Sequence, residues 1–186
     1  MVKVLAFAPN QRRVRNLDID SLGDVDVYST TPVISQWPKR LRLEVMKSAP
    51  LPDYFSVGPL RLISANLRAV CESLDVDAEY LPITLLRTNK SKSDQDYFFC
   101  HLLGSVECFD AKSSKCSYRD KEKQVVDEVT KLVINFQKAE KSGKHLFRME
   151  GPAFVILASD TFVERVNGTG VKGMDSIEDH EWSVTS

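Results

Sequence analysis

The sequence has no long hydrophobic run, no glycine-rich phosphate loop and almost no net charge, and each of these absences excludes a class of function. Its apolar runs, such as 2–9 and 154–158, are far shorter than the roughly 18 residues needed to span a bilayer. A formal net charge of −1 gives no overall attraction to nucleic acid. We therefore expect neither a membrane segment nor a nucleic-acid partner.

Catalytic signatures are also missing, since the chain has no HExxH helix and no recognisable nucleophile motif. The first residues lack the charged region, the long apolar stretch and the small-residue cleavage site of a secretory signal. The basic residues Arg12, Arg13 and Arg15 follow the first apolar run instead of preceding it. We therefore assign no catalytic residue, expect no enzymatic activity and predict a cytoplasmic protein.

The cysteines form no compact disulfide framework in a chain of 186 residues, which favours reduced thiols. Three of them recur every eight residues, with His101 beside the first. Structural zinc usually takes pairs of ligands about two to four residues apart, and this spacing does not provide them. We expect no metal and no cofactor. Cys71 is predicted to be a reduced thiol, and Cys100, Cys108 and Cys116 are interpreted as buried, inert thiols.

Composition predicts one globular domain over residues 1–186. The chain is 42% hydrophobic and 27% charged, which is ordinary for a folded protein, and no stretch is an obvious linker. Residues 1–36, with short predicted strands at 3–8 and 24–28, are interpreted as a peripheral N-terminal segment.

Strand patterns recur along the rest of the chain. Leu41, Leu43 and Val45 alternate with polar residues, which is typical of a strand with one buried face and one solvent-exposed face. The aromatic and aliphatic run at 97–103 suits a central strand buried on both faces. The β-branched residues that follow Val125 favour another strand, near 131–136. We predict these strands at 41–45, 97–103 and 131–136, and a hairpin formed by 145–149 and 154–157.

Two serines mark the predicted starts of helices. Apolar residues at steps of three and four over 60–74 predict a helix, which begins either at Pro59 or after a short strand with Ser64 as its N-cap. The same layout recurs later in the chain with Ser159 in place of Ser64, which favours two capped helices, the second ending at 167–168. The predicted fold is α+β, a mostly antiparallel twisted sheet with two short helices on one face.

Acidic residues gather at two places that are candidates for a partner surface. The first group, Asp75, Asp77 and Glu79, follows the first predicted helix. A solvated surface is the commoner explanation of such groups, but opposite charges can also steer a basic partner. Tryptophan is favoured at interfaces, although a structural role is our first interpretation of both Trp37 and Trp182. The candidate interface residues are the second group and its neighbour: Asp175, Glu178, Asp179, Glu181 and Trp182.

Seven sequence words follow one another between residues 37 and 182: PDYF, LISANLRAV, EYLPI, YFFCHLLGSVECFD, HLFRMEG, ILASDTFVERV and GVKGM. In this order they resemble the eleventh immunity-protein family of bacterial polymorphic toxin systems. The resemblance implies a cytosolic protein that binds a cognate toxin 1:1 and blocks its activity without turnover. It does not indicate the chemistry of the toxin.

Two other functions are compatible with the sequence. One is a small enzyme whose site folding assembles around His101 and Asp110, which a deep polar pocket joining them would support. The other is a scaffold or regulatory domain unrelated to toxins. A neighbouring reading frame that encodes a toxin would favour the immunity function over the scaffold.

Overall fold

The computed structural model describes residues 1–7, 14–17, 22–39, 41–45, 51–87, 96–120, 122 and 125–177. Within these residues the chain forms thirteen strands and three helices. In chain order they are β1 (Val2–Phe7), β2 (Val14–Leu17), β3 (Arg42–Val45), β4 (Tyr54–Val57), β5 (Leu60–Ser64), α1 (Ala65–Ser73), β6 (Ala78–Arg87), β7 (Tyr97–Leu102), β8 (Ser105–Val106), β9 (Lys115–Asp120), β10 (Val125–Lys131), α2 (Phe136–Lys141), β11 (Leu146–Met149), β12 (Ile156–Ser159), α3 (Asp160–Thr169) and β13 (Met174–Ile177).

The strands form three sheets where the sequence predicted one. A six-stranded sheet has the order β2-β3-β6-β7-β5-β4, a five-stranded sheet has the order β13-β1-β12-β11-β8, and β9 pairs with β10. All pairings are antiparallel except those of β3 with β6 and of β11 with β8. The α+β class and the mostly antiparallel pairing are thus confirmed.

Both predicted N-caps are confirmed. The Ser64 hydroxyl accepts the backbone N–H of Leu67 at 3.3 Å, and the Ser159 hydroxyl accepts that of Phe162 at 3.2 Å. In each case the serine ends a buried strand and satisfies one of the N–H groups that a helix start leaves unpaired. The buried faces of α1 and α3 share one core cluster, in which Leu67 and Phe162 are both fully buried.

The third helix, α2, overturns the predicted strand at 131–136. The strand β10 ends at Lys131, Val133 and Ile134 follow it outside any strand, and the chain then enters a helix. Asn135 is the N-cap, and its side-chain oxygen accepts the N–H of Lys138 at 3.1 Å. A strong capping residue therefore outweighs the strand preference of the residues before it.

Two other expectations were wrong for local reasons. The 24–28 segment forms turns and no strand, and there the carboxylate of Asp26 accepts the N–H of Tyr28 at 3.0 Å. The last helix continues through 167–168 and ends at Gly170, which has the left-handed φ of 69° that favours glycine.

The opening strand β1 lies inside the five-stranded sheet, between β12 and β13. Its side chains Val2 and Val4 are buried in the core that this sheet shares with the β9–β10 hairpin. The N-terminal residues thus contribute directly to a hydrophobic core.

Residues 22–39, which we call the 22–39 loop, cover part of the six-stranded sheet without forming a strand. Leu22, Val27 and Val33 are buried in the core of that sheet together with Trp37. The Trp37 ring stacks on Phe99 with centroids 5.4 Å apart, and its indole N–H donates to a backbone carbonyl of β6 at 3.1 Å. The structural role predicted for Trp37 is therefore confirmed.

None of the helices in the described part of the chain is long and apolar enough to cross a membrane.

Replacing Ser64 tests the strand-to-helix joint. Its hydroxyl both caps α1 and donates to the Asp53 carboxylate, so Ser64→Ala should lower the free energy of unfolding by about 1–3 kcal/mol. Ser73→Ala, at the other end of the same helix, is the matched control and should change it by less than about 0.5 kcal/mol. Urea denaturation of both variants would measure the difference, and equal stabilities would contradict the capping role.

Candidate functional site

The structure describes one of the five candidate interface residues. Asp175 is exposed on β13, an edge strand of the five-stranded sheet, where it pairs in register with Ala6. The other four, Glu178, Asp179, Glu181 and Trp182, lie outside the described residues. Asp175 is therefore placed at a sheet edge, and the group as a whole stays a prediction.

The first acidic group is divided among separate roles. Asp77 forms an ion pair with Lys144 at 3.2 Å, and Asp75 adopts a positive φ of 48° after α1. Glu79 turns inward, and only 12% of its side chain is exposed. These three residues therefore do not form one acidic surface.

Glu79 and His101 are cross-strand neighbours on β6 and β7, and both bind the 22–39 loop. One Glu79 oxygen accepts the N–H of Val33 at 2.7 Å, and the other accepts that of Ile34 at 3.2 Å. His101 is 0% exposed, and its Nδ1 lies 3.0 Å from the Glu79 carboxylate. Its Nε2 lies 2.8 Å from the carbonyl oxygen of Ser29.

Arg148 reaches the same loop from the other large sheet. Its guanidinium donates to the carbonyl of Val27 at 3.1 Å and to that of Ser29 at 3.2 Å, from a buried position on β11. Burial lowers the pKa of Arg148, but a guanidinium keeps its charge at any physiological pH. Ser29 thus accepts from side chains of both the five-stranded and the six-stranded sheet.

The hydrogen bonds of His101 and Glu79 connect the two strands to the 22–39 loop. A carbonyl can only accept, so Nε2 donates to Ser29. Burial by itself would raise the pKa of Glu79, but its hydrogen bonds from His101, Val33 and Ile34 outweigh that effect and lower it. Glu79 therefore accepts hydrogen bonds as a carboxylate, and the His101 ring is one of its three partners.

The two residues of the enzyme hypothesis have separate roles. Both ring nitrogens of His101 are occupied in the interior, whereas Asp110 caps the turn that follows it by accepting the N–H groups of Lys112 and Ser113, each at 3.1 Å. Hydrogen bonds from Ser113 hold the pKa of the Asp110 carboxyl below its usual range. His145 likewise has a partner, the Ser159 hydroxyl, 2.9 Å from its Nδ1.

The outer side of the 22–39 loop carries exposed apolar side chains. Tyr28 is 46% exposed and Ile34 is 65% exposed, and beyond them only Met1 is a large exposed hydrophobic residue in the described ranges. A cleft beside the loop, lined in part by Tyr28, Arg61 and Arg148, has an interior of about 10 Å³, roughly the room that one water needs. This cleft is too small for a substrate, whereas the two exposed apolar side chains could contact another protein.

The cysteines are free, as predicted, and three of them are buried. Burial raises the pKa of Cys108 to about 11, and contact with Cys71 together with burial raises that of Cys100. The prediction of a buried thiol was wrong for Cys116, which is half-buried on β9. Within the ranges that the structure describes, no three His, Cys, Asp or Glu side chains gather as metal ligands.

Sequence reasoning missed the parts of this site that depend on distant contacts. The sequence pattern does not distinguish Arg148, it groups Glu79 with Asp75 and Asp77, and it predicts a strand at Tyr28. One signal was present, because Arg148 stands in a hairpin whose flanking residues are apolar, where an arginine usually has buried partners.

A sequence model of the immunity protein family Imm11 matches residues 7–178 of the chain. This range begins earlier than the region of resemblance at 37–182 and covers most of the described strands and helices. Among curated proteins, none matches the chain.

Glu79→Gln tests the buried pair through its pH dependence. The pKa of Glu79 in the folded protein lies below its ordinary value of 4.5, so the stability it contributes is present above that pH and is lost on acidification through the lower, folded-state value. The variant should lose about 1–3 kcal/mol near neutral pH and show a shallower decline of stability below about pH 4.5. It should also speed amide hydrogen exchange at Val33 and Ile34.

Urea denaturation across pH and hydrogen exchange would measure both effects. Glu164→Gln, at an exposed position on α3, is the matched control and should behave as the parent protein does. An unchanged acid profile together with unchanged exchange at the two amides in Glu79→Gln would contradict the role assigned to the pair.

Proposed function

This chain belongs to the Imm11 immunity protein family, and we propose that it neutralises a cognate toxin in the cytosol by binding it stoichiometrically. The observation that supports this function is the family match, which covers nearly the whole chain. The proposed complex is 1:1, and inhibition arises either from covering the active site of the toxin or from blocking a conformational change. The protein needs no cofactor and no turnover for this.

The geometry favours binding over the enzyme hypothesis. His101 and Asp110 serve separate structural purposes, and the small cleft beside the 22–39 loop has no room for a substrate. A tight protein complex needs instead a few well-placed side chains surrounded by a complementary surface. Nuclease–immunity pairs with dissociation constants as low as about 10⁻¹⁶–10⁻¹³ M illustrate how strong such binding can be.

We propose that the acidic C-terminal group attracts the toxin. Asp175 is exposed at a sheet edge, and its sequence neighbours Glu178, Asp179 and Glu181 carry the same charge, with Trp182 beside them. Charges at the rim of an interface speed association by attracting an oppositely charged surface. A basic toxin surface would therefore be captured faster by the group.

Survival of bacteria that express the neighbouring reading frame tests the proposed function. If that frame encodes the toxin, co-expression of this protein should restore growth, and the two chains should co-purify as a 1:1 complex by light scattering. A toxic neighbour that this protein neither binds nor neutralises would contradict the proposal.

Reversing the acidic group tests its role in capture. Converting Asp175, Glu178, Asp179 and Glu181 to lysine should slow association with the toxin at least about tenfold at low salt and flatten its salt dependence. Stopped-flow measurements over a range of ionic strength would show this.

A matched control changes the net charge by the same amount elsewhere, through lysines at the exposed positions Glu122, Asp127, Glu128 and Glu164. If both quadruple variants associate at the same rate, the attraction comes from net charge alone and the role of the C-terminal group is refuted.

A further inference from the structure

We infer that the 22–39 loop is the surface on which the partner docks, with Tyr28 and Ile34 as the anchoring side chains. This inference rests on the proposed function, because it identifies the part of the protein that would hold the toxin. It adds a surface that is separate in sequence from the acidic C-terminal group.

Each anchoring side chain stands on its own tight turn. The first turn is closed by a hydrogen bond from the N–H of Ser29 to the carbonyl of Asp26 at 3.1 Å, and Tyr28 lies inside it. The second is closed by the N–H of Gln36 and the carbonyl of Val33 at 2.9 Å, with Ile34 inside it. Turn tips project side chains outward, which agrees with the exposure of these two.

Buried ionisable groups hold each turn at the residues beside its anchor. Arg148 binds the carbonyls of Val27 and Ser29, the residues immediately before and after Tyr28. His101 shares the Ser29 carbonyl. On the second turn, the two Glu79 oxygens accept the N–H of Val33 and that of Ile34 itself.

This arrangement has a large desolvation cost if its only purpose is to cover the sheet. Burying a guanidinium and a histidine ring, and removing most of a carboxylate from solvent, is unfavourable unless each group is well bonded, and apolar side chains would fill the same space with less penalty. Fixing a loop before binding, however, lowers the entropy that association must overcome. If the loop is a binding surface, these groups fix its conformation before the partner arrives, and the entropic cost of association is then lower.

The charge of the loop identifies the kind of partner. Asp24 and Asp26 are exposed beside the first turn, and the one basic residue of the loop, Lys39, lies at its far end beyond Trp37. Nucleic acid and anionic membrane would be repelled by this surface, and a second copy would bring its own aspartates against these two. The chemistry fits a folded protein with apolar pockets for a tyrosine and an isoleucine, bordered by lysine or arginine.

The double variant Tyr28→Ala/Ile34→Ala tests the inference against the protein encoded by the neighbouring reading frame. Each anchor is expected to slow dissociation about 30-fold, so the double variant should dissociate about 900-fold faster and fail to restore growth. Association should change far less, because short-range contacts act mainly on dissociation. Surface plasmon resonance would provide both rates.

The matched control is Thr30→Ala/Gln36→Ala, which removes two exposed polar side chains from the same loop and should dissociate like the parent protein. The melting temperature and the circular dichroism spectrum should be unchanged in both double variants. Faster dissociation would then reflect a lost contact with the partner and not unfolding of the variant.

Two results would overturn the inference while leaving the proposed function intact. One is a double variant that binds and rescues as the parent protein does. The other is a parent protein that dimerises in sedimentation experiments through Tyr28 and Ile34, which would make a second copy the occupant. A parent protein that neither binds nor rescues would instead refute the proposed function, and the inference with it.

Discussion

The carbonyl oxygen of Ser29 accepts hydrogen bonds from His101 on the six-stranded sheet and from Arg148 on the five-stranded sheet. A carbonyl has two lone pairs, so these two donors saturate it. Because Ser29 stands in the 22–39 loop, one peptide group links the loop to both sheets at once. The loop packs Val27, Val33 and Trp37 onto the larger sheet, and the positions of those side chains depend on where the loop is held. The electrostatic contacts and the apolar packing thus support each other.

Features specified by neighbouring residues could be predicted from the sequence. The alternation at Leu41, Leu43 and Val45 identified β3, and the serines at two strand ends identified both caps. Competition between local preferences explains the errors, as at Asn135, whose capping side chain begins a helix directly after β-branched residues. The number of sheets could not be predicted in the same way, because the pairing of β1 with β12 joins residues 2–4 to residues 157–159, far apart in sequence.

The candidate site was harder to predict because its bonds join residues far apart in sequence. Arg148 and its carbonyl partners at Val27 and Ser29 are separated by 121 and 119 residues. The spacing of residues in the sequence does not predict contacts over such distances. In the sequence, Glu79 is indistinguishable from the members of a solvated acidic group. The properties that distinguish it, its burial and its two backbone donors, exist only after the 22–39 loop has folded over β6.

The residues that hold the loop are distinct from those that it displays, and this separation suits an inhibitor of a particular protein. His101 and Arg148 are buried, Glu79 is largely shielded from solvent, and all three are hydrogen-bonded, so a change at any of them leaves a partner unsatisfied inside the protein. Tyr28 and Ile34 project from turn tips, where a different side chain alters the surface and little else. A new pair of side chains on the same turns would therefore present a new surface on an unchanged scaffold. Specificity for one toxin or another could then change without a loss of folding free energy.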